Sequence, residues 1–199
     1  MFDAAVRRLL PPILTPVARM LARVGVTPNA LSLTGGLLGV GAGLLVARGF
    51  VWSGVIVWLV SRTVDGVDGI LARESQQSSA FGGYLDITVD MAAYSAMLLG
   101  FAAIHAEGGW VWSTILVGYL LVTTTTLALS SALEHLNAKV PDNDRSIQFT
   151  PGFAEAGETT LAYLLFALFP AVVTPIAWLW AGVCYATVIQ RTLLARRLL

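Results

Sequence analysis

Six apolar runs, at residues 28–47, 50–71, 83–105, 110–133, 151–169 and 175–194, take up most of this 199-residue chain. Each is close to the roughly 20 residues that a helix needs to cross a bilayer. The charged fraction is 12%, about half that of an ordinary soluble domain. The expected fold is therefore all-α: a polytopic membrane protein with six transmembrane helices over residues 26–199. N-terminal interfacial amphipathic helices over residues 1–25 precede them. Thr27-Pro28, Thr150-Pro151 and Thr174-Pro175 mark three of the expected helix starts. Threonine can cap free amides there, and proline is tolerated at the first helical position.

The N-terminal segment is not patterned as a cleavable signal. Arg7, Arg8, Arg19 and Arg23 are interleaved with Leu9, Leu10, Ile13, Leu14, Val17, Met20, Leu21 and Val24, and Pro11, Pro12 and Pro16 interrupt them. This reads as short amphipathic helices in the membrane interface, with arginines toward anionic headgroups. With six spans, both termini share one side. Eleven of the 12 basic residues fall on that side, and Arg48 alone on the other. The positive-inside rule makes the arginine-rich side cytoplasmic, so the expectation is a multi-pass inner-membrane protein with both termini inside. Gly35, Gly39 and Gly43 form a stripe of small residues that suits close helix packing within the chain. Cys184 has no partner for a disulfide and reads as a small buried hydrophobe. Trp110, Trp112, Trp178 and Trp180 read as interface or lipid-facing aromatics.

Asp65, Asp68, Asp86 and Asp90 lie at the facing cytoplasmic ends of the second and third runs. A carboxylate at membrane depth costs roughly 2.5–3.5 kcal/mol on insertion scales, and four together repel one another. Asp65 and Asp68 are three apart and Asp86 and Asp90 four apart, so each pair shares a helix face. Arg62 and Arg73 cannot balance four acids by ion pairing alone. Two divalent cations can, and hard oxygen ligands suit magnesium, manganese or calcium. Gly69 and Ala72 share the stripe of Asp65, and Gly82 that of Asp86 and Asp90. These small side chains leave room for a ligand's backbone or phosphates. The arrangement suits two-metal displacement at phosphorus, with Arg73 placed to hold a phosphate oxygen.

The run from Asp65 to Asp90 reads Asp-x2-Asp-Gly-x2-Ala-Arg-x8-Gly-x3-Asp-x3-Asp, with eight fixed positions in 26 residues. It resembles the signature of the CDP-alcohol phosphotransferases at every fixed position, and Thr27-Pro28-Asn29 agrees more loosely. The resemblance implies transfer of a substituted phosphate from a CDP-linked donor to an alcohol, with release of CMP. It implies that Asp65, Asp68 and Asp86 hold two magnesium or manganese ions. Asp90 would join them and serve as catalytic base. Asp65, Gly69, Ala72, Arg73 and Gly82 would shape the pocket for the CDP moiety. The family's usual bacterial donor is CDP-diacylglycerol, which would make the product a phospholipid, and the likeness also suggests a homodimer. A soluble CDP-alcohol donor with a lipid acceptor is the rival within the class. A non-enzymatic divalent-cation carrier is the rival outside it. Membrane lipids are expected partners and nucleic acid is not.

The acceptor is less legible. Glu155 and Glu158 open the fifth run on the cytoplasmic side, three apart on one face. They can accept hydrogen bonds from hydroxyls, or can serve as acids favoured at a helix N-terminus. His135, Lys139, Arg145 and Arg191 could instead hold an acceptor phosphate, although Lys139 and Arg145 would equally suit anionic headgroups. His105 falls on the far side as a loop residue.

Overall fold

The computed structural model describes residues 2–136 and 152–199. Among them the regular structure is helical: α1 (Phe2–Arg23), α2 (Pro28–Ala47), α3 (Val51–Glu74), α4 (Ala80–Ile104), α5 (Trp110–His135), α6 (Ala156–Leu168) and α7 (Val173–Leu198). They gather into two compact units, Met1–Ala106 and Glu107–Leu199.

In the first unit α2 packs along both α3 and α4, and α1 lies against α3. Thr27 caps α2 as its sequence indicates: its backbone is extended, its side chain accepts from the Ala30 amide at 3.3 Å, and Pro28 follows. Lipid tails are as apolar as leucine, so close packing rather than hydrophobicity holds such helices together. The glycine stripe supplies that packing. A methyl at Gly35 would sit 3.5 Å from the Ser61 carbonyl of α3, and one at Gly36 would press on Val89 of α4. Gly43 and Gly100 meet backbone to backbone, where α2 crosses α4. Gly49, at φ +85°, makes the tight turn from α2 into α3, a conformation that favours glycine.

The N-terminal segment, expected as several short helices, is one helix of 22 residues. Leu14 and Ala18 are buried against Val67, Ile70 and Leu71 of α3, with Leu21 packed beside them. Tertiary packing on α3 thus carries the helix past Pro16. A second apolar stripe, Ile13, Val17, Met20 and Val24, is exposed.

In the second unit α7 packs against α5 and α6. A methyl at Gly118 of α5 would touch the Cys184 Cβ of α7 at 3.0 Å, and Cys184 itself is fully buried, as its apolar surroundings suggest. The tryptophans divide. Trp110 and Trp178 are exposed, as expected, but Trp112 and Trp180 are buried at 5% and 6% exposure. Trp112 meets Phe166 edge-on, and Trp180 donates to Tyr119, which donates in turn to Tyr163. A position two residues along a helix turns to a different face, which is why neighbouring tryptophans part company.

Among the described residues four stretches are long and apolar enough to cross a membrane: Pro28–Ala47, Ala80–Ile104, Trp110–His135 and Pro170–Leu198. The other two expected spans differ for separate reasons. α3 is long enough at 24 residues, but Arg62, Asp65, Asp68, Arg73 and Glu74 lower its hydropathy. α6 has only 13 residues and starts at Ala156, because 152–155 are not helical; its length is roughly 20 Å against a core of about 30 Å. The final helix begins at Val173 after a 3-10 turn, slightly before the expected Thr174-Pro175 start. The Thr150-Pro151 start lies outside the described residues.

Candidate active site

The acidic site belongs to the first unit. Three residues separate Asp65 from Asp68 and four separate Asp86 from Asp90, so α3 and α4 each present two carboxylates from adjacent turns. Asp65, Asp68 and Asp86 each offer a carboxylate oxygen within 4.8 Å of the others. Asp68 is buried, and the other two are half-buried. Three hard carboxylate donors converging at this distance form a donor set for magnesium or manganese.

Asp90 is held differently. Its Oδ1 accepts a 2.6 Å hydrogen bond from Arg62 Nη1, and the same nitrogen lies 3.7 Å from Asp65 Oδ2. Arg62 therefore partners two of the four acids, whereas Arg73 is exposed at the end of α3. Asp68 is supported from α2: Ser32 Oγ donates to its Oδ2 at 2.5 Å, and both residues are buried. Neither Ser32 nor the Arg62–Asp90 pair is visible in local spacing. Their partners stand 36 and 28 residues away.

The small residues leave different amounts of room. A methyl at Gly69 would meet only the Arg73 guanidinium, at 3.6 Å, so Arg73 folds back over that position. At Gly82 a methyl would press on Asn29 Oδ1 at 3.1 Å and on Ser79 Oγ at 3.2 Å. Ser79 caps α4 by accepting from the Gly82 amide at 3.0 Å. Ala72 is half-buried on α3.

The expected acceptor residues belong to the second unit, apart from Lys139 and Arg145, which lie outside the described residues. Glu155 Oε1 accepts from the Gly152 amide at 2.7 Å, closing the turn that enters α6, and Glu158 is half-buried in the first turn of that helix. His135 is exposed at the end of α5. Arg191, named above as a phosphate ligand, is buried: its Nη1 donates to the Val122 carbonyl at 2.9 Å and to Thr126 Oγ1 at 2.5 Å. It ties α7 to α5.

The chain is similar to known membrane proteins and lipid synthases. The chain is 32% identical over 197 residues to the inner membrane protein YnjF of Escherichia coli, covering 96% of this chain and 93% of that protein. It is 32% identical over 211 residues to the phosphatidylinositol phosphate synthase of Streptomyces avermitilis, covering 99% and 83%. In fold it is similar to crystal structures of the Mycobacterium tuberculosis phosphatidylinositol phosphate synthase. The structure in complex with manganese and citrate has a TM-score of 0.74 at 24% identity, covering 92% of this chain and 88% of that one. The one with CDP-DAG bound has a TM-score of 0.70 at 24% identity, covering 92% and 94%. The family model described as CDP-alcohol phosphatidyltransferase matches residues 25–190, a range that contains all four aspartates and the glycines beside them. By that match, and by the residues that carry it, the chain belongs to the CDP-alcohol phosphatidyltransferase family.

Proposed function

We propose that this membrane transferase moves a phosphatidyl group from CDP-diacylglycerol to the hydroxyl of an alcohol, releasing CMP. The observation that carries the reading is the convergence of Asp65, Asp68 and Asp86 within 4.8 Å, with Asp90 fixed beside them by Arg62. The names of the similar synthases and the CDP-DAG-bound relative support the donor.

The acceptor oxygen attacks the phosphatidyl phosphorus. A new P–O bond forms, the P–O bond to CMP breaks, and CMP departs with the bridging oxygen. Asp90 takes the hydroxyl proton. A free aspartate has a pKa of about 3.9, so the proton moves late, as the new bond forms. Asp65, Asp68 and Asp86, joined by Asp90, would hold two magnesium or manganese ions, which would neutralise the diphosphate charge. Arg73, folded over Gly69, takes a further phosphate oxygen, while Gly69, Ala72 and Gly82 let the CDP moiety approach the helix backbones. Glu158 contributes to acceptor recognition. Glu155 shapes its helix entry.

In this reading α3, and α6 together with the non-helical residues 152–155 that lead into it, complete six crossings. The acyl chains of the donor lie in the bilayer, and the site and both termini face the cytoplasm, as the arginine distribution supports. The exposed stripe Ile13, Val17, Met20 and Val24 faces lipid along the interface.

The test is CMP release by the purified protein with CDP-diacylglycerol and magnesium, screened across inositol phosphate, glycerol 3-phosphate, inositol, serine and glycerol. Acceptor-dependent release that a chelator stops is the expected result. No release with any acceptor from folded protein would overturn the reading, and release from a soluble CDP-alcohol alone would move the donor to that class.

A further inference from the structure

α1 meets two different surroundings. Leu14 and Ala18 are buried against Val67, Ile70 and Leu71 of α3, while Ile13, Val17, Met20 and Val24 form an exposed apolar stripe. A helix of this kind lies in a membrane interface with its stripe at the acyl boundary. Arg19 and Arg23 are four apart, exposed, and flank that stripe. They stand at the level of the headgroups, where the planar fork of arginine matches a phosphate.

Arg19 already holds an anion within the chain. Its Nε donates to Glu74 Oε2 at 2.8 Å and its Nη2 to Oε1 at 3.4 Å, the two-pronged grip that arginine also gives a phosphate. This is the one link by hydrogen bond between the side chains of α1 and the end of α3 among the described contacts; the rest of the packing is apolar. Both partners are open to solvent, and an exposed ion pair gains little over water. An anionic leaflet attracts each nearby arginine more strongly than that, because its charge is spread along the whole surface. A zwitterionic leaflet does not, since each phosphate there carries its own cation.

We propose that Arg19 and Arg23 form a binding site for the phosphate of an anionic phospholipid, and that Glu74 occupies Arg19 until such a lipid displaces it. α1 thereby reads the charge of its leaflet. In a neutral membrane Arg19 stays on Glu74 and ties α1 to the end of α3. In an anionic one that tie is exchanged for a headgroup, and the apolar contacts of Leu14 and Ala18 hold α1 in place. The inference goes beyond the transferase reading and does not depend on it.

The test is electron paramagnetic resonance of spin-labelled phosphatidylglycerol, set against spin-labelled phosphatidylcholine, around the full chain in phosphatidylcholine vesicles. It reads the preference of the protein's lipid boundary for the anionic headgroup, and it needs no turnover. Arg19→Gln and Arg23→Gln are each expected to lower that preference by about twofold or more. Glu74→Gln should raise it by about twofold or more, because Arg19 is then always available, and should raise it clearly less when residue 19 is Gln. A rise of the same size in both backgrounds would reflect only the lost negative charge and would overturn the exchange. Wild-type preference in both arginine variants would overturn the site. Inorganic phosphate, compared with chloride at equal ionic strength, should leave the preference unchanged; displacement of the labelled lipid by phosphate would overturn the assignment to a lipid. If Arg19→Gln does not fold, Arg19→Met, which keeps an apolar stem, carries the same cycle.

Discussion

Ser32 Oγ and Asp68 Oδ2 are 2.5 Å apart, a hydrogen bond from α2 to the most deeply buried carboxylate of the acidic site. The same hydroxyl also reaches the Pro28 carbonyl at 3.2 Å, so its position is set by the first turn of α2. Partners of this kind orient a ligand carboxylate, and their loss typically costs 10–100-fold in metal affinity. Ser32→Ala should weaken Mn2+ binding by about tenfold with the fold intact. Unchanged Mn2+ affinity, measured by titration, would leave Ser32 with a packing role only.

The triad itself gives a sharper test. Asp65→Asn, Asp68→Asn and Asp86→Asn each remove one of the three converging charges while keeping the side chain's size. Each should lower CMP release by about a hundredfold or more, and raised magnesium should recover part of the loss. A variant that keeps full activity at low magnesium would remove that residue from the ligand set.

These residues differ in how far their roles could be read before the fold was known. The aspartates were legible because helical spacing alone puts Asp65 beside Asp68 and Asp86 beside Asp90, and because acids within apolar runs demand a counter-charge. Thr27 was legible for the same local reason, since a cap acts within three residues. Arg62 reads from the sequence as an insufficient counter-charge to the aspartates, with no particular partner among them. Its pairing with Asp90 depends on how α3 meets α4, and nothing within either helix encodes that. The same holds for Ser32, for Trp112, which meets Phe166 of α6, and for Trp180, which reaches Tyr119 of α5. Arg191 reads from the sequence as one of several basic residues suited to an acceptor phosphate; its bonds to the Val122 carbonyl and the Thr126 hydroxyl depend on how α7 meets α5. α6 fell short of its apolar run because residues 152–155 are fixed by side-chain bonds instead of a helix. The Ala154 amide goes to Thr187 Oγ1, and the Gly152 amide to Glu155.

The crossing of α2 and α4 offers a prediction about stability alone. A methyl at Gly43 would run into the Ala96 carbonyl and lie 2.7 Å from the Met97 amide nitrogen, and backbone cannot step aside as a flexible side chain can. Gly43→Ala should destabilise the first unit by about 1–3 kcal/mol. Gly41, two residues earlier on the same helix, has nothing within 4 Å of an added methyl. Gly41→Ala should therefore be neutral or stabilising by up to about 1 kcal/mol, from helix propensity. Thermal unfolding in detergent, with the two variants side by side, checks both. Equal behaviour of the pair would mean that α2 and α4 do not cross at Gly43.

The last contact to be tested joins α1 to the C-terminal end of α3, just after Arg73. Arg19 Nε donates to Glu74 Oε2 at 2.8 Å, and Glu74 directly follows Arg73. Both side chains are substantially exposed, at 62% and 34%, so the pair is screened by salt and its contribution is small. The hydrogen bond from Arg19 holds the Glu74 carboxyl below its ordinary value of 4.5. A depressed carboxyl stabilises the fold above its unfolded value, and the benefit disappears as the pH falls through the lower folded value. Glu74→Gln should accordingly lower the unfolding temperature slightly near neutrality, less at high ionic strength, and not at all in acid, where wild-type Glu74 is protonated too. Unfolding scans of both proteins at neutral and acid pH, at low salt, make the comparison. A difference that survives in acid would assign the effect to the packing of α1 on α3 through Leu14 and Ala18, and not to the ion pair.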